Sequence, residues 1–117
     1  MKETAALPAA ASGVWVFAEQ RAGIVQPISH ELLARGRRLA DARGAPLTSV
    51  LLGPAGDDGL REMIRRGADR VLHVADPALQ DFLPEPYSAV TAHLVRERRP
   101  DIFIAGATTT GRTLMPL

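Results

Sequence analysis

Val14-Trp15-Val16-Phe17-Ala18 is an unbroken apolar, β-prone run. A strand with one wet face alternates apolar and polar residues. A run that is apolar at every position fits a strand covered on both faces, as in a parallel sheet. Three more short runs follow it: Leu47-Thr48-Ser49-Val50-Leu51-Leu52, closed by Gly53-Pro54; Arg70-Val71-Leu72-His73-Val74; and Asp101-Ile102-Phe103-Ile104-Ala105. Arg21-Ala22-Gly23 breaks the first of them.

The stretches between these runs carry helical periodicity. Ser29 is placed to cap a helix running to about Arg43, with Glu31 in its first turn. Leu32, Leu33, Gly36, Leu39 and Ala40 share one face of that helix, while Arg35, Arg38 and Asp41 face away. A glycine inside such a stripe costs about 1 kcal/mol relative to alanine, so Gly36 points to a close approach of helix to sheet. Gly44 supplies the stop. Asp57 or Asp58 caps a second helix that turns Leu60, Met63 and Ile64 inward and ends at Gly67. Residues 76–84 read as a loop, and Pro86 suits the first turn of a third helix. Tyr87, Val90, Leu94 and Val95 form its buried stripe, and Pro100 ends it. Thr110 begins a fourth helix.

Alternation of this kind predicts an α/β fold: a three-layer sandwich with a mostly parallel, Rossmann-like sheet and right-handed crossovers. Residues 1–12, Ala-rich with one proline, read as a flexible N-terminal tail, and residues 13–117 as one domain. The pattern stops inside the fourth helix at Pro116-Leu117, so the C-terminal part of the domain is expected to be truncated. Glu3 and Pro8 interrupt any signal-peptide pattern, and a cytoplasmic location is the default expectation. Fourteen cationic residues against 13 acidic ones leave no basic excess for nucleic acid. No apolar run approaches the roughly 20 residues of a membrane span, so no membrane insertion is expected. The absence of cysteine rules out disulfides, thiolate nucleophiles and cysteine-ligated metal or iron–sulfur centres. His30, His73 and His93 stand in no metal-ligand register. No nucleophile elbow, phosphate-loop lysine or carboxylate pair marks a catalytic centre. The arginine clusters at 35/37/38, 65/66 and 96/98/99 read as solvated helix surface.

In an open parallel sheet, ligands bind beyond the carboxyl ends of the strands where strand order reverses. If the first strand is central and the fourth lies beside it, two loops meet there. One is Glu19-Gln20-Arg21-Ala22-Gly23; the other is Gly106-Ala107-Thr108-Thr109-Thr110-Gly111-Arg112. Small residues, three hydroxyls, helix-start amides and an arginine are the parts of a phosphate cradle. The same parts also serve without a ligand, the hydroxyls capping the helix and Arg112 pairing with a carboxylate such as Glu19.

Several segments together resemble the N-terminal domain of the electron transfer flavoprotein alpha subunit, the family of the FixB proteins. They are Val16-Phe17-Ala18-Glu19-Gln20-Arg21, Ser29-His30-Glu31-Leu32-Leu33, Leu51-Leu52-Gly53, Gly67-Ala68-Asp69-Arg70-Val71, Glu85-Pro86-Tyr87, Arg99-Pro100-Asp101-Ile102 and the loop Gly106–Arg112. The resemblance runs in the family's order from about residue 14 to the end. It implies a domain similar in fold to the beta subunit and to adenine nucleotide alpha hydrolase-like domains. It implies a heterodimer that carries electrons from flavoprotein dehydrogenases, such as acyl-CoA dehydrogenases of fatty acid oxidation, to a quinone oxidoreductase. The alpha subunit is then an electron carrier without catalytic residues of its own. FAD is implied mainly in a separate C-terminal domain, absent from this sequence, and AMP or a second FAD in the beta subunit partner. Glu19, Arg21, Thr108, Thr109, Thr110, Gly111 and Arg112 become candidate nucleotide or flavin-proximal residues by that resemblance, or a remnant that serves helix capping and the subunit interface. The family usually carries an acidic residue where this chain has Thr113. A free-standing adenine-nucleotide-binding α/β domain is the alternative.

Overall fold

The computed structural model describes residues 13–114, with Thr109 and Thr113 described by backbone alone. The tail expected at residues 1–12 and the break at Pro116-Leu117 lie outside the described residues. Strand β1 (Val14–Ala18) is followed by a small hairpin, β2 (Gln20–Arg21) and β3 (Ile24–Val25), and then by helix α1 (Pro27–Arg43). Next come β4 (Leu47–Leu52), α2 (Asp57–Arg65), β5 (Arg70–Val74), α3 (Pro84–Arg98), β6 (Ile102–Ile104) and α4 (Thr109–Leu114). The order β5-β4-β1-β6 forms a four-stranded sheet with every pairing parallel. The expected fold class is therefore the one observed.

β1 is central and completely covered: its five residues are at most 1% exposed. Val14 pairs with Leu47 on one side and with Ile102 on the other. Side chains alternate across the sheet with period two. Val14, Val16 and Ala18 join Leu47 and Leu51 under Leu32, Leu33 and Ala40 of α1 and Met63 of α2. Trp15 and Phe17 join Val50, Leu52, Leu72 and Val74 on the opposite face, under Tyr87 and Leu94 of α3 and Leu114 of α4. Phe103 meets both rings, its centroid 5.5 Å from Trp15 and 6.4 Å from Phe17. Helices thus cover both faces, giving the three layers.

Several local expectations are corrected by the structure. Ser29 does not cap α1: the helix starts at Pro27 behind Gln26, and Ser29 is buried in the first turn. Glu31 accordingly falls beyond that turn. Proline suits this start because its missing N–H would lack an intrahelical partner there in any case. Gly56, not Asp57 or Asp58, is the N-cap of α2, and both aspartates stand in the first turn, where they favour the positive helix end. α3 opens at Pro84, within the stretch expected to be loop, which keeps Pro86 in the first turn as expected; Tyr87, Thr91 and Leu94 are buried, and Val90 and Val95 pack partly buried on the same core. Arg21-Ala22-Gly23 does not simply break the first strand. Ala22 and Gly23, at φ 52° and 85°, form a two-residue turn that folds the chain into the β2–β3 hairpin. Gly44, by contrast, ends α1 in the left-handed region as expected (φ 63°, ψ 34°). His93 is exposed on α3, and His73 is buried, with Nε2 2.7 Å from the Gly53 carbonyl oxygen.

Gly36 has the role its position in the stripe implied. A Cβ there would lie 2.8 Å from Val16 Cγ2 and 2.9 Å from Leu47 Cδ1. The α1 backbone therefore rests directly on β1 and β4.

Arg37 departs from the solvated surface expected of its cluster. Its Nη1 donates to the Gly67 carbonyl (2.8 Å) and to Asp69 Oδ2 (3.0 Å), and its Nε to Asp41 Oδ1 (3.0 Å). Asp69 Oδ2 also accepts from the Leu47 N–H (2.8 Å), and the Asp69 N–H donates to the Leu47 carbonyl (2.8 Å). This joint ties α1 to the starts of β4 and β5. Partial burial pushes the Asp69 carboxyl upward, but the Leu47 amide, the Arg37 hydrogen bond and the charges of Arg37 and Arg70 outweigh it, leaving the group below its ordinary value. A carboxylate depressed in the folded state adds stability above the ordinary carboxylate range. It loses that contribution as the pH falls through the depressed value.

Two outcomes follow for urea unfolding. Gly36→Val is expected to lower stability by about 2 kcal/mol or more through overpacking, with Gly36→Ala milder because alanine regains about 1 kcal/mol of helix propensity. Asp69→Asn keeps an acceptor for the Leu47 amide but removes the charge. Its deficit near pH 7 is expected to be at most about 1 kcal/mol, since the pair is half-exposed. That deficit should close as the pH falls below about 4; an equal deficit at pH 7 and pH 3 would show that the charge contributes nothing.

Candidate functional site

β1 lies between β4 and β6, so strand order reverses beside it at β6. The loops leaving β1 and β6 meet beyond the carboxyl ends of these two strands, as expected for this fold. Glu19 is the first residue after β1 and is half-buried. Its backbone is held by α1: the Glu19 N–H donates to Ser29 Oγ (2.8 Å), and the Ser29 hydroxyl reaches the Glu19 carbonyl (3.2 Å). The Gln26 N–H also donates to that carbonyl (2.8 Å). Ser29 is thus a clamp on the strand end, which explains a buried serine at a position that looked like a cap.

The Glu19 side chain turns toward the second loop. Thr108 Oγ1 donates to Glu19 Oε2 at 2.6 Å and accepts from the Gly111 N–H at 3.0 Å. Thr108 is therefore the N-cap of α4, bonding the third residue of the helix in the usual capping pattern. The Arg112 N–H donates to the Thr108 carbonyl (2.9 Å). Gly111 sits against the Gly106 carbonyl, where a Cβ would collide with backbone, and a Cβ on Gly106 would lie 2.8 Å from Ile28 Cγ1. The loop is thus folded tightly onto itself and onto α1.

Gln20 organises the other side. Its amide nitrogen lies within hydrogen-bond distance of the carbonyl oxygens of Leu79 (3.1 Å) and Gln80 (2.9 Å) and of Tyr87 Oη (3.2 Å). Its Oε1 accepts from the Gly23 N–H (2.9 Å), bracing the hairpin turn. The Tyr87 hydroxyl donates to the Leu79 carbonyl (2.7 Å). Burial pushes the Tyr87 phenol above its ordinary value against the opposing Gln20 hydrogen bond, so the hydroxyl stays protonated as a donor. Neither Gln20 nor Tyr87 was singled out from sequence as part of the site. The available signal for Gln20 is its place in the loop that follows a fully apolar strand.

Glu19, Arg21, Thr108 and Thr110 come together with Gln26, Pro27 and Ile28 around an open cleft of about 380 Å³. A second cleft of about 300 Å³ shares Glu19, Arg21, Gln26 and Thr110 and extends toward Gln80, Asp81 and Phe82. Of the other candidates, Gly111 is buried beneath the loop, Arg112 is exposed on α4, and Thr109 opens that helix. The carboxylate of Glu19 is met by Thr108 and not by Arg112.

These donors do not fit a phosphate. The Thr108 hydroxyl and the Gly111 and Arg112 amides have internal acceptors, and the acceptor of that hydroxyl is itself an acidic side chain, Glu19. Two unit charges about 4 Å apart repel by roughly 1 kcal/mol in water and about 4 kcal/mol near a protein surface. Among the described residues, no group of three or more His, Cys, Asp or Glu could hold a metal, and no helix is long and apolar enough to cross a membrane.

An open, parallel α/β sheet with paired loops at its reversal point defines the class. Within it, residues 14–117 match the electron transfer flavoprotein domain. The chain belongs to the electron transfer flavoprotein family, and its relatives include alpha-subunit and FixB proteins. It is 46% identical over 104 residues to the protein FixB of Clostridium saccharobutylicum, covering 89% of this chain and 31% of that protein. It is 44% identical over 104 residues to the electron transfer flavoprotein subunit alpha of Clostridium acetobutylicum, again covering 89% and 31%. The acryloyl-CoA reductase electron transfer subunit beta of Anaerotignum propionicum is 38% identical over 103 residues, covering 88% and 28%. The chain thus spans about a third of the length of these relatives (31%, 31% and 28%).

The capping arrangement carries a prediction. Thr108→Val removes both the N-cap acceptor and the donor to Glu19, and is expected to cost about 1–2 kcal/mol. Urea unfolding gives the loss, and amide hydrogen exchange locates it, with Gly111 and Arg112 losing protection before the β1 amides do.

Proposed function

We propose that this chain is the N-terminal domain of an electron transfer flavoprotein alpha subunit and that it docks a beta subunit. The assembled heterodimer carries electrons from flavoprotein dehydrogenases, acyl-CoA dehydrogenases among them, to a quinone oxidoreductase, and the chain works in the cytoplasm. The observation that carries this reading is the family match across residues 14–117, which takes in every strand and helix of the described residues. The names of the relatives support electron transfer as the activity of the whole protein.

In this reading the domain is an electron-carrier component without catalytic residues. FAD is held by polypeptide outside the region described, and AMP or a second FAD belongs to the beta subunit. Bound flavin supplies the redox chemistry; the residues of this chain supply a surface and its rigidity. Glu19, Thr108 and Gly111 fix the geometry of the reversal point, while Arg21, Thr110 and Arg112 stand at its rim, where a partner or a flavin edge held by a partner would be met. Rigidity at that rim has a physical use, because an interface that is ordered before docking loses less entropy on association.

Sedimentation velocity with a recombinant electron transfer flavoprotein beta subunit tests the docking. A one-to-one complex with a Kd of about 10 μM or tighter is expected, within the range of specific transient interfaces. Two separate boundaries with each protein at about 100 μM would remove the proposal, since a Kd near 10 μM leaves most of the chain bound there.

A further inference from the structure

We infer that Glu19 closes the reversal-point cleft of this domain to phosphate-bearing ligands by acting as its internal anion. The expectation for such a cleft, a parallel-sheet crevice with hydroxyls and helix-start amides, is a nucleotide phosphate. Here the Thr108 hydroxyl and the Gly111 and Arg112 amides each have a partner from the chain itself. The Glu19 carboxylate receives the Thr108 hydroxyl at 2.6 Å, and Thr108 Oγ1 in turn receives the Gly111 amide at 3.0 Å. The arrangement mimics a bound oxyanion: a carboxylate oxygen stands where a phosphate oxygen would accept the hydroxyl proton.

The carboxylate is held there from both ends. Its backbone is clamped by Ser29 and Gln26, and its side chain lines both clefts of the reversal point. Asp81 adds a second negative charge at the far wall, against one cation, Arg21, among the described residues that line the same space. A phosphate entering the first cleft would have to displace the Thr108 hydroxyl from Glu19 and sit beside an unpaired carboxylate, and one entering the second would face the carboxylates of Glu19 and Asp81. The ligand class excluded is therefore AMP, ADP, FAD pyrophosphate and inorganic phosphate alike, because all present the same group. The exclusion concerns this chain alone and does not depend on its docking a beta subunit.

Calorimetric titration and thermal unfolding of the 117-residue chain test this, with AMP and inorganic phosphate as probes. The native chain is expected to show no binding heat and no rise in unfolding midpoint up to about 10 mM of either. Glu19→Gln keeps an acceptor for Thr108 but removes the charge, and is expected to acquire a phosphate-dependent rise of roughly 4 °C at a phosphate concentration about five times its Kd. Thr108→Val, which leaves the carboxylate in place, is expected to remain unresponsive. Binding of AMP by the native chain with a Kd below about 1 mM would overturn the inference. So would a Glu19→Gln chain that folds and stays as indifferent as the native one. A response gained by Thr108→Val would show that the loop's closed shape, not the charge of Glu19, excludes the anion.

Discussion

The structure depends on the burial of one short strand on all sides. β1 is paired in parallel with β4 and β6 and covered by helices on both faces. A strand in this position has no direction in which a polar side chain could reach water, and all five of its residues are apolar. Their sizes matter as well. Val14, Val16 and Ala18 are small enough for α1 to approach until its backbone at Gly36 rests on Val16, whereas Trp15 and Phe17 fill the wider gap beneath α3 and α4. The asymmetry of the two layers is already present in the alternation of five residues.

That is why the fold was legible in the sequence to the degree it was. A strand apolar at every position has few explanations, and the mostly apolar runs Leu47–Leu52 and Arg70–Val74 form strands with the same boundaries in the structure. Gly36 was readable because a glycine within an apolar helical stripe carries a cost that only close packing offsets. Helix starts were less legible. Ser29 and Asp57 have the chemistry of caps, but the chain places Pro27 and Gly56 where helices α1 and α2 begin, and the polar groups were used elsewhere. Ser29 clamps Glu19, a contact between residues ten apart that no local pattern encodes. The β2–β3 hairpin was missed for a related reason: it needs Ala22 at a positive φ, a conformation favoured for glycine and disfavoured for alanine.

The site was legible as a place and not as a set of partners. Topology alone brings the Glu19 loop and the Thr108 loop together, because strand order must reverse beside a central first strand. Which side chain meets which is a matter of a few ångströms. Thr108 rather than Arg112 takes the Glu19 carboxylate, since a hydroxyl capping the helix start lies directly over the end of β1 while Arg112 projects outward from α4. The bracing roles of Gln20 and Tyr87 are not legible in the sequence because most of their partners are backbone carbonyls, which every residue possesses.

The same fold elements can thus serve two ends. A hydroxyl, a helix start and a glycine loop at a reversal point form a receptor when their acceptor is supplied from outside. They form a joint when the acceptor is built in. In this chain the built-in acceptor links the carboxyl end of β1 to α4, and β1 is itself clamped to α1 through Ser29. A displacement of α4 would therefore be felt at α1 through one carboxylate and one serine, without passing through the sheet. For a domain whose proposed task is to present a surface to a partner, a cross-linked rim confers the definition that a bound ligand confers on a nucleotide-binding relative of the same architecture.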